Sequence, residues 1–508
     1  MIAPRLTLAG LCVLMLVNVL PAAAQRERLS DAVNTNQYDE SAPVFTADGK
    51  VMYFWSLDRP DGYGLQDIYF STKDSLTGQW NRALNLGKPL NDPTCNIAFS
   101  LTPDNTTMLV YKQGNSRTQT DLALARRYPQ YWGAPIPLRF DQFANTTQSG
   151  ITAYLGADSK TLVLSIIGPD TKGREDLYVS FYNRKTKTFS EPKNLGGIIN
   201  TGGQEITPFL APDGITLYYS SDGVGGSGAL DIYVTRRLDD TWQNWSKPVN
   251  LGPDINSPGD DYYFKFPADA RYGYFVSNYN TPTKDIYRVR LPQSVLPLPV
   301  MLVKGKVIDQ VTKKPISGAT ITYQELPSGL EIGTANTDTT TGEYRILLPA
   351  GKLYAFMATA PGTVAISENL EVRLPPGKTY DELTRDLYMA PLQEGQSIRL
   401  NNLFFEIGSA VLNPNSYPEL RRIADLMNLN PKLTVEVGGH TDNTGNTQVN
   451  LELSHARATA VKKYLEGLKV DGNRIAVFGY GANFPQGDNN TDEGRRRNRR
   501  VEMKIVTL

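Results

Sequence analysis

Between residues 40 and 290 the hydrophobic positions alternate with polar ones over runs of about six, and the runs are separated by turn residues. That period of two is the signature of half-buried β-strands. A turn of the Pro-Asp-Gly type recurs at Asp48, Asp104, Asp158, Asp213 and Asp269, in steps of 56, 54, 55 and 56 residues. A second marker, Asp-Ile-Tyr or a close variant, begins at Asp67, Asp121, Asp176, Asp231 and Asp285, in steps of 54, 55, 55 and 54. Two independent markers with one period define a repeat, and each repeat reads as four short antiparallel strands. The fifth copy ends after Asp285-Ile286-Tyr287 without its fourth strand. The segment Leu29 to Asn34 resembles Leu195 to Asn200, which closes that fourth piece, so the N-terminal segment is expected to complete the last unit. The repeated aspartates need no special role, since a short acceptor caps a tight turn.

The pattern changes twice further on. Gln293 to Val300, with two prolines, reads as a linker, after which short strands between turn signals indicate an all-β sandwich over residues 301–392. From Asn401 strands alternate with helices. Leu403 to Phe405 is expected as a strand, and Leu433 to Val437, Ile475 to Phe478 and Val501 to Val506 as others. Leu420, Ile423, Ala424 and Met427 form the i, i+3, i+4, i+7 stripe of an amphipathic helix over 417–428, and a longer helix runs from about Val449 to Leu468. The expected fold class is therefore multidomain: a five-bladed all-β propeller over 25–292, an Ig-like β-sandwich over 301–392, and a C-terminal α/β domain over 401–508.

Residues 1–24 have the form of a secretory signal peptide, with Arg5, an apolar run from Leu6 to Leu20, and Ala22-Ala23-Ala24 before a cut ahead of Gln25. An uncleaved membrane anchor is the alternative. Cys12 is preceded by Leu11 rather than a small residue, so no N-terminal lipid is expected. After cleavage Cys95 alone remains, and large cores rather than disulfides must hold the secreted chain together.

Composition narrows the function. The 508 residues include 43 Gly, 33 Pro and 27 Tyr, in keeping with many turns and strands. The 52 basic residues balance the 52 acidic ones, which is no footprint of nucleic-acid binding. Of the two histidines, His440 and His455, neither stands in a zinc or nucleophile motif, and no cofactor or metal is implied. Paired carboxylates of a glycosidase carry no fixed spacing, but nothing else in the chain favours an enzyme.

Three resemblances follow from the motifs. The repeat, with its Pro-Asp-Gly turn, the Ser221-Asp222-Gly223 loop and the Asp-Ile-Tyr strand, resembles the PD40/WD40-like units of TolB-type propellers. The order Gly305-x-Val307, Pro315-Ile316-x-Gly318-Ala319, Thr337-Asp338, Gly342-x-Tyr344 and Pro349-Ala350-Gly351 resembles the carboxypeptidase regulatory-like domain, a spacer or docking module without a zinc site. The C-terminal domain resembles the OmpA-like peptidoglycan-binding family. The motifs are Gly439-His440-Thr441-Asp442-Asn443-Thr444-Gly445, Asn450, Leu453 to Ala458, Gly479-Tyr480-Gly481, Gly494-Arg495 and Asn498 to Glu502.

That last resemblance implies a ligand, diaminopimelate of the peptidoglycan stem, held by Asp442 and Arg457. The carboxylate of Asp442 would accept from the ammonium, and the guanidinium fork of Arg457 would clamp the carboxylate. Thr444, Asn450 and Arg499 complete the candidate set, although Asn450 and Arg499 could equally fix loops. Backbone donors at the helix start near Thr447 to Asn450 could add to an anion site. On spacing alone, Asp442 and Arg457 could form a mere surface ion pair, and most of the five arginines in 495–500 could be a solvated face. The first strand continues as Glu406-Ile407-Gly408 where many family members have Asp and Asn, so contacts made there are expected to be missing or altered.

The implied protein is a non-catalytic anchor in the periplasm, associated with the outer membrane, whose propeller docks an outer-membrane or secretion-system protein. The combination resembles envelope proteins of Bacteroidota, including peptidoglycan-binding components linked to type IX secretion. The other reading is an envelope receptor whose propeller binds a glycan or peptide.

Overall fold

A computed structural model describes residues 26–113, 120–143, 150–365, 367–406 and 408–508. The expected signal peptide lies outside the described residues.

The five repeats form five antiparallel sheets. The first is built from Glu40–Phe45, Val51–Leu57, Gln66–Thr72 and Leu84–Asn85; the second and fourth repeat the plan, and the third adds a fifth strand, Thr188–Phe189 and Lys193–Asn194 both pairing with Asp176–Asn183. In the fifth, Asp261–Lys265, Tyr272–Ser277 and Asp285–Arg290 are joined by Glu27–Arg28, which pairs antiparallel with Asp285–Arg290 (Glu27 opposite Arg288). The chain's start thus supplies the strand that the fifth repeat lacks. The first strand of each sheet lies against the first strand of the next, and Asp261–Lys265 returns to Glu40–Phe45, so the five sheets close on themselves.

Hydroxyls stitch adjacent first strands: Leu155 N donates to Ser100 Oγ (3.0 Å), Thr207 N to Thr152 Oγ1 (2.8 Å) and Tyr263 N to Thr207 Oγ1 (3.2 Å). Lys265 reaches from the fifth sheet to the second, where Nζ donates to Phe99 O (2.6 Å). The turn aspartates behave as the sequence suggests. Asp213 Oδ1 accepts from Ile215 N and Thr216 N at 2.9 and 2.8 Å, and Asp158 does the same for Lys160 and Thr161.

Residues 293–300 are not a free tether. They hold a short 3-10 turn, Gln293–Val295, whose last carbonyl accepts from the Tyr218 hydroxyl, and Leu298 N donates to Asp213 Oδ2 (2.8 Å). Two sheets follow. One centres on Val300–Asp309 and one on Thr320–Glu325, and they share a core of Val303, Val307, Ile321, Tyr323, Tyr344, Ile346 and Phe356. This unit sits on the turn side of the five-sheet ring, with Val300, Leu302 and Leu347 packed against Ala47 and Ala268.

Among the described residues the C-terminal unit has seven strands and α-helices: β1 (Ser397–Arg399), α1 (Tyr417–Leu429), β2 (Thr434–His440), α2 (Thr447–Gly467), β3 (Ile475–Gly481), α3 (Asp492–Asn498) and β4 (Arg500–Thr507). Its sheet order is β1-β4-β2-β3, with only β2 and β3 parallel. Both predicted helices form within two residues of their expected ends. Leu420, Ile423, Ala424 and Met427 of α1 and Ala458, Val461 and Leu465 of α2 bury against Val435, Val437, Met503 and Ile505 of the sheet.

The expected strand at Leu403 to Phe405 is corrected. Phe405 makes only an isolated bridge to Leu412, and Phe404 N and O are both taken by Ser416 Oγ, at 2.8 and 3.0 Å. The sheet edge belongs instead to β1, earlier in the chain, where Ile398 enters the core and Arg399 does not. A hydroxyl that satisfies both backbone groups of Phe404 removes the reason for that segment to join a ladder.

Candidate functional site

The site lies where β2 ends and its loop meets α2. Glycines let these elements approach closely: a Cβ at Gly479 would lie 2.6 Å from His455 N, and one at Gly438 2.8 Å from the Tyr480 ring. Thr441 N donates to Gly481 O (2.9 Å) and Gly481 N to Ser454 Oγ (3.0 Å), which ties the loop to β3 and α2. Gly445 turns the chain into α2 with φ +88°, a conformation that favours glycine.

Asp442 is buried at the base of this loop. Its Oδ1 accepts from Thr444 N (3.0 Å) and from the Thr444 hydroxyl, and its Oδ2 accepts from Arg499 Nη1 (2.6 Å). Burial alone would raise its pKa, but the Thr444 and Arg499 hydrogen bonds more than reverse this and hold it below the ordinary carboxylate value. Asp442 is therefore an ionised acceptor at neutral pH.

Arg457, at the middle of α2, is half-buried. Its Nε donates to Ser409 O (3.0 Å), and its guanidinium lies 5.0 Å from the Phe405 ring centroid. A cation over an aromatic face at this distance gains roughly 0.5–1 kcal/mol and is held in orientation. Burial first, then the charge of Arg499, lowers its pKa, while Asp442 opposes the shift.

The five candidates thus gather in one place, with different jobs. Asp442 and Arg457 make no ion pair with each other, so the surface-pair alternative fails. Asp442 pairs with Arg499, whose side chain remains about half exposed. Thr444 holds Asp442. Asn450, buried, donates through Nδ2 to Thr444 O (3.0 Å) and Asp442 O (3.4 Å), which is the loop-fixing role. The helix start offers less than expected: Asn446 caps it by accepting from Gln448 N (2.8 Å) and Val449 N (3.3 Å), so two of its orphan donors are already used. Arg495, Arg496 and Arg497 pair with Asp492 and Glu493 on the surface of α3, as a solvated face would.

Sequence reasoning missed Arg399 and Arg500. With Arg457, Arg499, Leu403 and Phe405 they line a cavity beside Asp442. Arg399 lies upstream of every motif, and only its pairing in β1 with β4 brings it here. Arg500 was visible as one of five arginines but not separable from its neighbours. Among the described residues no group of His, Cys, Asp and Glu could hold a metal ion, and no helix is long and apolar enough to cross a membrane.

The C-terminal unit is an α/β domain with a cavity lined by four arginines, one of them paired with the buried Asp442. Residues 404–499 match the OmpA family, and the C-terminal domain is an OmpA-family domain. Outer membrane porin F of Pseudomonas fluorescens is 40% identical over 116 residues, covering 23% of this chain and 35% of that protein. Peptidoglycan-binding protein ArfA of Mycobacterium tuberculosis is 37% identical over 142 residues, 28% of this chain and 42% of its own length. Among solved structures, the cell wall anchor of the T6SS from Pseudomonas aeruginosa is 34% identical over 22% of this chain and 80% of that one, with a TM-score of 0.20. The chain spans less than half the length of the two curated relatives named here.

Proposed function

We propose that this protein is a non-catalytic anchor of the cell envelope that grips peptidoglycan through its C-terminal domain. In this reading Asp442 receives the ammonium and Arg457 the carboxylate of diaminopimelate in the stem peptide. The observation that carries it is a buried, ionised carboxylate beside a guanidinium that has no carboxylate of its own, at the position where the OmpA family match runs through the Gly439 to Gly445 loop. A zwitterionic amino-acid end has the two complementary charges. Arg499, half exposed, yields Asp442 Oδ2 to the incoming ammonium or shares it, while Thr444 and Asn450 keep the loop in place. The likeness to a Mycobacterium protein named for peptidoglycan binding supports the same ligand.

The rest of the chain fits a platform. We read the five sheets as blades of a PD40/WD40-like β-propeller over 25–292, and residues 301–392 as a carboxypeptidase regulatory-like spacer. The spacer rests on the turn side of the ring, which leaves the opposite side for an outer-membrane or secretion-system protein.

The test is co-sedimentation of the full chain with sacculi of the diaminopimelate and the lysine type. Binding to the first type, weakened at least tenfold by Asp442→Ala and by Arg457→Ala, is the expected result. Arg457→Lys retains charge without the fork and falls between. Equal binding of both wall types, or wild-type binding by Asp442→Ala, would sink the assignment.

A further inference from the structure

The cavity beside Asp442 holds more positive charge than a single amino-acid end would neutralise. Arg399, Arg457, Arg499 and Arg500 all line it. Two of the four are answered: Arg499 by Asp442 (2.6 Å), and Arg500 by Glu502, whose Oε1 accepts from Nε at 2.6 Å. Among the described residues no carboxylate stands within ion-pair distance of Arg399 or Arg457. Glu368 faces Arg399 through space, but its oxygens are engaged by Arg385 (2.7 Å) and by Asn401 (3.1 Å). Arg457 has a backbone carbonyl and an aromatic face as its partners.

Partly buried guanidiniums that face one another raise the energy of the empty site. Burial, followed by the charge of Arg500, lowers the pKa of Arg399; burial, followed by Arg499, lowers that of Arg457. Leu400, Leu403, Phe405 and Val501 supply the apolar part of the wall, which weakens the screening of the repulsion. A ligand with one carboxylate would relieve Arg457 and leave Arg399 unanswered.

We propose that this cavity takes two carboxylates from one stem peptide, Arg457 binding the one beside the ammonium and Arg399 a second. The inference rests on the stem-peptide reading above. Diaminopimelate has two amino-acid ends. Inside a stem, one end keeps its ammonium and carboxylate, and the carboxyl of the other is free only when diaminopimelate is the last residue. When another residue follows, that carboxyl is a neutral amide and cannot answer a guanidinium. The chain therefore prefers stems trimmed to end in diaminopimelate, and the class of reaction that supplies its ligand is a carboxypeptidase cut after that residue.

The experiment is calorimetric titration of the full chain with two synthetic probes. One is the tripeptide stem ending in diaminopimelate; the other is the same tripeptide with that terminal carboxyl amidated. The wild type should bind the acid about tenfold more tightly than the amide. Arg399→Gln should bring the ratio to about one, with a wild-type circular dichroism spectrum showing that the variant is folded. Arg399→Lys should recover part of the ratio. Asp442→Ala should lose both probes. Equal binding of acid and amide by the wild type, or an unchanged ratio in Arg399→Gln, would overturn the inference with the stem-peptide reading intact. Binding of neither probe by the wild type would overturn both.

Discussion

His440 ends β2 immediately before the ligand loop, and its ring is buried, 5.1 Å from the Tyr480 centroid and nearly parallel to it. Burial first, then the charge of Arg500, pulls its pKa down to about 4, against the opposing pull of Glu502 and Glu436. The unfolded chain takes up a proton near pH 6.5, whereas the folded one resists until about pH 4. Stability is therefore lost as pH falls through that window, and the loss levels off below it. Urea unfolding at pH 7.0 and 4.5 should show a drop in the wild type that exceeds the drop in His440→Gln by about 1–3 kcal/mol. Equal drops would mean that the imidazole is protonated in the fold. At this scale, Asp442, Thr444, Asn450, Arg457 and Arg499 were legible because a short loop and one helix carry most of them. Which neighbour each would choose was not: Asp442 pairs with Arg499, 57 residues away, because the antiparallel pairing of β2 with β4 returns the chain to the same spot.

At the scale of elements, the ring is closed by a residue type that recurs. Asn91, Asn200 and Asn256 each grip both backbone groups of a residue in the third strand of their own sheet, Ile68, Leu177 and Ile232. Asn34 does the same for Ile286, accepting from N at 2.9 Å and donating to O at 2.8 Å, although 252 residues separate them. The expectation that Leu29 to Asn34 completes the fifth unit came from likeness to Leu195 to Asn200, and this shared clamp is its physical content. Asn34→Ala leaves the buried N–H of Ile286 without its partner, while the Ile286 carbonyl keeps Leu29 N (3.0 Å), and should cost about 1–3 kcal/mol. Chemical denaturation measures it, and hydrogen exchange at Ile286 should accelerate in step. An unchanged midpoint would show that Glu27–Arg28 closes the fifth sheet without the clamp. The misplaced first strand of the C-terminal sheet has a comparable cause. Leu403 to Phe405 is apolar enough to be a strand, but Ser416 reaches its backbone first, and strand propensity cannot register a competing hydroxyl 12 residues away.

On the scale of the molecule, the middle unit touches both of its neighbours. Asn336 N donates to Asp104 Oδ2 (2.7 Å), Thr334 N donates to Asp158 O (3.1 Å) and Lys160 Nζ donates to Glu331 O, so two of the repeated turn aspartates also serve as seats for the sandwich. On the other side Asn369 donates to Asn402 Oδ1 (2.8 Å) and Asn401 to Glu368 Oε1 (3.1 Å). Gly333 faces the ring so closely that a Cβ would lie 2.7 Å from Asp158 Cα and O. Gly333→Val should lift the sandwich off the ring. Small-angle scattering would register this as a larger radius of gyration and maximum dimension, with sacculus binding retained. Unchanged scattering would mean that the contact can absorb an isopropyl group.

The sequence by itself determined the features that repeat or lie within one turn of a helix or loop: the 55-residue period, the amphipathic stripe of α1, the turn aspartates and the Gly439 to Gly445 loop. Each is written in residues close together along the chain, where steric and hydrogen-bonding preferences act without help from the rest. The tertiary structure alone decided that Arg399 joins the ligand cavity, that Asp442 turns to Arg499, and that the sandwich seats on the turn aspartates. These contacts join residues dozens to hundreds of positions apart. They depend on strand order and on how one folded surface meets another, which hydrophobic period does not encode.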